Sequence, residues 1–200
     1  VENTSGLPQT ASMKILFIDP RGVVYDSETL SPLAGVTLQF ADASGTPLPA
    51  SCLADGQQPQ TTSVDGRYRF DLSVDCTDLA GKVFQILVTD TPGYQLEPAI
   101  DGKQVGPLDP GTPASGTYEV VSYDNAPSVS QTRRYYMSFK LGVNSRQIVN
   151  NHIPLSSLVS LIEDDLRQVL RDDLAATMTQ QSRQMSGYAA SALQRLKDES

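Results

Sequence analysis

The fold is decided by four stretches of sequence: Gly22-Val-Val-Tyr-Asp26, Pro32-Leu-Ala-Gly-Val-Thr-Leu38, Val64-Asp-Gly-Arg-Tyr-Arg-Phe70 and Pro92-Gly-Tyr94. Each joins a short run of β-branched or aromatic residues to a Gly, Pro or Asp that is typical of turns. Two runs, Val36–Phe40 and Tyr68–Leu72, alternate apolar and polar residues, so each strand should bury one face against a second sheet. The pattern predicts a β-sandwich.

Further strand candidates lie on either side of these stretches. Short β-type runs occupy Lys14–Ile18, Val83–Thr89, Thr117–Tyr123 and Arg134–Leu141. Together the runs give about seven strands, which is typical of a mainly β, antiparallel sandwich. Asp65-Gly66 is expected to form a hairpin turn, because Gly tolerates the positive φ that such a turn requires.

The order of these motifs resembles a known family. The series Gly22-x-Val-x-Asp26, Pro32-Leu-x-Gly-Val36, Asp65-Gly-x-Tyr-x-Phe70 and Pro92-Gly-Tyr94 resembles the prealbumin-like domains of bacterial surface proteins. These include collagen-adhesin B-type, serine-aspartate-repeat B-like and carboxypeptidase regulatory-like domains. The resemblance covers Arg21 to Tyr94 and implies a seven-stranded, Ig-like or prealbumin-like sandwich. It also implies a repeat domain of an adhesin or another cell-envelope protein, located extracellularly, at the cell surface or in the periplasm.

One covalent feature of that family is not expected here. Some members carry a Lys to Asn isopeptide bond, and the position of its Lys is occupied by Val23 and Val24. Lys14 lies further upstream, so a bond from Lys14 to Asn150 or Asn151 is the remaining alternative. Loss of one ammonia from the intact mass would reveal it.

A different pattern begins after Pro154. Apolar residues recur at spacings of three and four, which is the stripe of a long amphipathic helix: Leu158, Leu161, Ile162, Leu166, Val169, Leu170 and Leu174. Pro154 followed by Ser156 and Ser157 favours a helix start, and Gly187 predicts a break or kink. The expected organisation is a flexible N-terminal tail over residues 1–12, a sandwich domain over 13–152 and a helical extension or linker over 153–200.

This helix has three alternative roles. Its stripe could pack on the chain's own sheet, or it could bind a neighbouring domain of the parent protein or a second copy of the chain. The third alternative, a helix lying on a membrane surface, is opposed by the acidic residues of its polar face, which anionic lipids repel: Glu163, Asp164, Asp165, Asp172 and Asp173. We take the stripe as the partner-binding surface.

Two cysteines, Cys52 and Cys76, flank the Val64–Tyr68 segment and sit beside turn residues. Free cysteines are more often buried in strands, so this placement favours a disulfide between loops. Such a bond requires an oxidising compartment. Two unrelated free thiols are the alternative.

Several classes of function are opposed by the composition. The formal net charge of −8 disfavours binding to nucleic acid or to an anionic membrane. No apolar run reaches the roughly 18–20 residues that a membrane-spanning helix needs. Neither a phosphate-binding Gly motif nor a calcium loop occurs, so no cofactor and no metal are expected. The chain begins at Val1 with no signal peptide, which indicates a piece of a longer protein.

Catalytic residues are not expected either. The single histidine, His152, is accompanied by no Ser or Cys motif and is interpreted as a structural or exposed residue. Glu28, Glu97 and Glu119 are carboxylates that no hydrolytic motif brings together. The chain is therefore predicted not to be an enzyme.

Two functions remain. The first is a non-catalytic structural or stalk module of a larger exported protein, whose helix docks on a neighbouring domain or self-associates. The alternative is an adhesin or carbohydrate-recognition module that binds an extracellular protein or glycan through the connection 95–117, which carries Glu97, Asp101, Lys103 and Asp109. A concave pocket with convergent polar groups in that connection would favour the second function.

Overall fold

The computed structural model describes residues 19–73, 76, 81–96, 102–111, 116–141 and 146–198, with the side chains of residues 160 and 161 excepted. The chain divides into two compact units, one running to Ser156 and one beginning at Ser157. The predicted tail 1–12 and the predicted strand Lys14–Ile18 lie outside the described residues.

The first unit consists of β-strands in three sheets. The described strands are β1 Arg21–Asp26, β2 Thr37–Asp42, β3 Gln60–Thr61, β4 Arg67–Arg69, β5 Val83–Asp90, β6 Tyr94–Gln95, β7 Thr117–Glu119, β8 Ser138–Lys140, β9 Gln147–Val149 and β10 Ile153–Ser157. One sheet has the order β4-β1-β10-β6, the second has the order β3-β2-β5-β8, and β7 pairs with β9. The expected β-rich fold is confirmed, although many of the described strands are shorter than predicted.

One apolar core draws on both four-stranded sheets. Val24 and Leu155 enter it from the first sheet, and Leu38 and Ile86 enter it from the second. Phe40 lies among three other phenylalanine rings, with ring centroids 5.3 to 6.4 Å away. The alternating pattern that predicted one buried face for the run Val36–Phe40 is therefore confirmed, because Leu38 and Phe40 are buried whereas Thr37 and Gln39 are less so.

The strand pairing is not wholly antiparallel. β1 pairs in parallel with β10, and β7 pairs in parallel with β9. The prediction of an antiparallel sandwich is therefore wrong for these two pairs. The long chain segment between β1 and β10 supplies the crossover that parallel pairing requires, and the local pattern of a strand does not reveal such a partner.

The Asp65-Gly66 turn is present, but it does not close a hairpin. Gly66 has a φ of +67°, as the turn prediction requires. The flanking strands β3 and β4 belong to different sheets, since β3 pairs with β2 and β4 pairs with β1. The turn therefore carries the chain from one sheet to the other.

The boundary between the two units differs from the expected one at residue 152. Residues 153–157 form β10, in which Ile153 and Leu155 are fully buried. Pro154 and the serines after it favoured a helix start in the sequence, yet they belong to a strand. The first unit accordingly extends to Ser156.

The second unit is a single helix, α1, from Leu158 to Asp198. It runs without interruption through Gly187, so the predicted break there is wrong. Glu163 and Arg167 form an ion pair at i,i+4, with 3.5 Å between their charged atoms. Arg195 and Lys197 occupy the last turn, where positive charge complements the helix dipole.

The disulfide between Cys52 and Cys76 is confirmed. Its Cα atoms lie 4.8 Å apart, within the range that the bond geometry allows. Cys52 ends a short 3-10 turn, Ala50–Cys52, and is buried. The bond therefore ties two loops of the β unit together.

Candidate functional site

A polar groove of about 590 Å³ lies in the β unit, where β1 and β4 approach the two-stranded β7–β9 sheet. We call it the arginine groove, because three of its lining side chains are guanidinium groups. Its charged and amide side chains include Arg21, Arg67, Arg69, Glu119, Asp124 and Asn150. Its volume falls within the range of ordinary small-molecule sites.

The pairing of β1 with β4 brings the three arginines together. Arg21 lies directly opposite Arg69 in this antiparallel pair, and Arg67 lies opposite Val23. Residues that face each other across two strands point to the same side of the sheet, and so do residues two apart along a strand. All three guanidinium groups therefore extend from one face of the β1–β4 pair.

Arg21 and Arg69 come especially close. The amide of Phe70 donates to Pro20 O and the amide of Val24 donates to Gly66 O, which places the backbone hydrogen bonds at alternate pairs. The Arg21 and Arg69 pair falls between two hydrogen-bonded pairs. At such positions the Cα atoms are separated by only about 4.5 Å, and the side chains approach more closely than at the neighbouring pairs.

Two of the arginines have carboxylate partners outside the groove lining. Arg69 Nε lies 2.5 Å from Asp71 Oδ1, and Arg67 Nε lies 3.3 Å from Asp65 Oδ2. Arg21 is half-buried, and it forms no ion pair with any residue in the described part of the chain. Of the three arginines, Arg21 is therefore the one with no carboxylate at ion-pair distance among the described residues.

The opposite wall of the groove is acidic and amide-bearing. β7 contributes Thr117 and Glu119, and Asn150 follows β9. Asn150 Nδ2 donates to Glu119 Oε1 at 2.8 Å, which leaves the second carboxylate oxygen of Glu119 available. Asn150 adopts a φ of +58°, a left-handed conformation that asparagine tolerates better than most residues.

The wall beside Gly22 depends on the absence of a side chain there. A Cβ atom at Gly22 would lie 2.2 Å from Asn151 O, so only glycine fits. Tyr68 donates to that same Asn151 oxygen at 2.7 Å, and Asn151 Nδ2 donates to the Tyr68 hydroxyl at 2.9 Å. Burial raises the pKa of the Tyr68 phenol well above its ordinary value, so the hydroxyl stays protonated. These contacts fix Tyr68 as a wall of the groove.

His152 is a buried structural residue, as one of the two sequence interpretations held. Its Nδ1 accepts from the Val23 amide at 3.0 Å, so the neutral ring carries its proton on Nε2 and donates to Tyr123 O at 2.9 Å. The ring also stacks on Tyr123, with centroids 5.5 Å apart. Burial lowers the pKa of the imidazole below its ordinary value of 6.5. Both ring nitrogens are occupied by backbone groups.

The carboxylates singled out in the sequence are not brought together in the described residues. Glu28 follows Asp26 in an exposed turn, whereas Glu119 lines the arginine groove. Glu97 lies outside the described residues. No group of three His, Cys, Asp or Glu side chains that could hold a metal ion occurs in the described part of the chain.

The described portion of the connection 95–117 lies along the edge of a sheet. Tyr135 donates to Gly102 O, and further along Leu108 donates to Ser138 O while Lys140 donates to Leu108 O. Asp109 pairs with Lys140 at 3.5 Å, and Asp101 lies outside the described residues. Of the described residues of this connection, the arginine groove includes Thr117 alone. Ligand binding through the connection stays a prediction.

The predicted partner-binding stripe lies along the first half of α1, where its described side chains are exposed. Ile162 is 68% exposed and Leu174 is 62% exposed. The same is true of Leu158, Leu166, Val169 and Leu170, whereas the side chain of Leu161 is outside the description. Within the described residues, no helix is both long enough and apolar enough to span a bilayer.

Comparisons with known proteins give no relative on which a family could rest. No protein-family model and no curated protein sequence matches this chain. The prealbumin-like assignment accordingly rests on the motifs quoted from the sequence.

Proposed function

We propose that the chain is a non-catalytic structural module of a larger exported bacterial surface or cell-envelope protein. Its β unit is a prealbumin-like sandwich that serves as a stalk segment, and α1 joins the stalk to a neighbouring domain or to a second copy. The observation that carries the proposal is the series of exposed apolar side chains along α1.

The length of α1 argues for a partner. With 41 residues it measures about 60 Å at a rise of about 1.5 Å per residue. Most of the stability of a helix in a protein comes from packing of its apolar face rather than from intrinsic propensity. Burying one exposed leucine contributes about 1.5–3 kcal/mol, so several leucines and isoleucines at three- and four-residue spacing favour association.

The β unit has the properties that the proposal expects of a stalk segment. It has its own apolar core and its own disulfide, Cys52 to Cys76, so its stability does not depend on a ligand. Disulfides persist in oxidising compartments, which agrees with export. A spacer in an extended surface protein needs this kind of self-sufficient unit.

Association through α1 is tested with a pair of matched double variants. Leu166→Gln with Leu170→Gln replaces two stripe residues, and the control Ala175→Gln with Thr179→Gln introduces the same two glutamines nine residues further along, in place of an alanine and a threonine. Nine residues correspond to about 2.5 turns, so the control pair lies on the opposite face. Glutamine keeps helix propensity in both variants.

Sedimentation of the full chain should show self-association that the stripe variant abolishes and the control variant retains. A chain truncated after Ser157 should likewise be monomeric, and the cut belongs there because Ile153 and Leu155 are buried in β10. An oligomeric state that neither the stripe variant nor the truncation changes would contradict the role of α1.

A further inference from the structure

The arginine groove contains an electrostatic conflict. Like charges directly opposite each other in an antiparallel pair are destabilising, and Arg21 faces Arg69 at a position where the side chains approach closely. Asp71 offsets the charge of Arg69, but Arg21 forms no ion pair with a described residue. Among the lining side chains, three guanidinium groups outnumber two carboxylates, Glu119 and Asp124, although the chain as a whole has a net charge of −8. Such a local conflict is typical of a functional site.

An anionic ligand would remove this conflict. Arginine presents a planar fork of N–H donors that binds a carboxylate in two parallel hydrogen bonds. Arg69 donates its Nε to Asp71, its terminal nitrogens form no hydrogen bond with a described residue, and both Arg69 and Arg21 line the groove. The two groups therefore offer adjacent donors for a single carboxylate.

The opposite wall of the groove indicates which other chemical groups the ligand carries. One oxygen of Glu119 accepts from Asn150, and within the described residues its other oxygen, the oxygens of Asp124 and the hydroxyl of Thr117 are available as acceptors. These groups suit hydroxyl donors. They would repel a second negative charge, which disfavours polyanions such as oligophosphates.

The lining also argues against a peptide. Apart from the edge of Tyr68, the apolar lining is the side chain of Val149 alone among the groove's described residues. The apolar side chain of a peptide would therefore find few apolar partners in the groove, although β4 is an edge strand and a peptide could still add to it. A small ligand with one carboxylate and several hydroxyl groups fits both walls.

We propose that the arginine groove binds an acidic saccharide, a sugar unit that carries a single carboxylate. The carboxylate lies between Arg21 and Arg69, and sugar hydroxyls donate to Glu119 and Asp124. This site is separate from α1 and does not depend on the stalk function. The ligand contacts come from Arg21 of β1, Arg69 of β4 and Glu119 of β7, and from Asp124, which follows β7 in the chain.

The test titrates the isotope-labelled full chain with a glucuronate-containing disaccharide and follows its amide resonances by NMR. Amides of Arg21, Arg69 and Glu119 should shift, whereas those of α1 should not. The same disaccharide with glucose in place of glucuronate should bind about tenfold or more weakly, because it lacks the charge-assisted hydrogen bonds.

Two substitutions localise the effect. Arg21→Gln should weaken binding of the acidic disaccharide by about tenfold, and Arg21→Lys should recover part of it, because lysine keeps the charge but not the fork. Arg171→Gln, the same change on the exposed surface of α1, should leave binding unchanged. Without ligand, Arg21→Gln should raise the Tm at low salt, since it relieves the repulsion from Arg69.

Four outcomes would overturn the proposal. They are equal binding of the neutral disaccharide, equal shifts with inorganic phosphate alone, tighter binding of a tri-glutamate peptide, and no shift at tens of millimolar disaccharide. A lower Tm for Arg21→Gln would also contradict it, because Arg21 would then be a structural residue. None of these outcomes bears on the association of α1.

Discussion

The β unit buries most of its large apolar side chains, whereas those described in α1 are exposed. In the β unit, Phe40 and Leu155 are fully buried, and the core connects both four-stranded sheets. In α1, Leu170 is 59% exposed, as are the other described members of the stripe to a similar degree. The β unit therefore contains the contacts that stabilise it, whereas the apolar face of α1 has the composition of a contact surface.

The largest difference between the two units should come from truncating one buried and one exposed apolar side chain to alanine. Phe40→Ala should lower the free energy of unfolding of the β unit by about 3–5 kcal/mol, because it leaves a cavity among Phe70, Phe84 and Phe139. Leu170→Ala should change that quantity by less than about 0.5 kcal/mol. Urea unfolding followed by tyrosine fluorescence measures both, and equal losses would remove the distinction between the two units.

Loss of the disulfide should have the next largest effect. Cys52→Ser combined with Cys76→Ser should cost the β unit about 3 kcal/mol, since the bond restricts the unfolded chain. The helical signal in circular dichroism should remain at temperatures where the β unit has melted. A simultaneous loss of both signals would show that α1 depends on the β unit.

Two glycine substitutions separate packing from backbone strain within the β unit. Gly66 and Gly56 both have positive φ, +67° and +75°, so alanine at either position should cost about 1–2 kcal/mol. At Gly66 the added Cβ would also lie 2.4 Å from Val24 O, whereas at Gly56 no heavy atom lies within 4 Å. Gly66→Ala should therefore lose about 1–3 kcal/mol more in chemical denaturation. Equal losses would mean that the close approach at Gly66 is not rigid.

The smallest effect concerns pH. Burial lowers the pKa of His152 in the folded state below the unfolded value of 6.5, so the unfolded chain binds a proton first as the pH falls. Stability should be complete above about pH 6.5 and should then decrease by at most about 1.4 kcal/mol per pH unit until the folded pKa is passed. His152→Gln removes the single histidine, so the denaturation midpoint of this variant should change less between pH 7 and 5.5 than that of the parent chain. A variant with the same pH dependence as the parent chain would assign the effect to other groups.

The sequence identified the features that are local. Alternation predicted the buried face of β2, turn residues predicted the positive φ at Gly66, and cysteine placement predicted the disulfide. Each depends on residues within a few positions, or on two residues of one chemical type. The helical conformation of α1 also follows from the spacing of its apolar residues.

The features that the sequence did not reveal depend on pairing between distant segments. β10 was assigned to the helical extension or linker that begins at residue 153, because Pro154 and the following serines favour a helix start near Ser157, and only the parallel pairing with β1 makes it a strand. The arginine groove was missed for the same reason. Arg21 and Arg69 are far apart in sequence, and their like-charge contact exists only through the β1–β4 register. An arginine in a short strand otherwise reads as an ordinary exposed residue.

The central claim is that α1 is stabilised by a partner, whereas the β unit is stable alone. Hydrogen exchange of the full chain at two protein concentrations, well below and well above the onset of association, tests this most directly. If a partner stabilises α1, amide protection in α1, Leu158–Asp198, should increase with concentration while protection in β2 and β5 stays constant. Protection of α1 that is the same at both concentrations would contradict it.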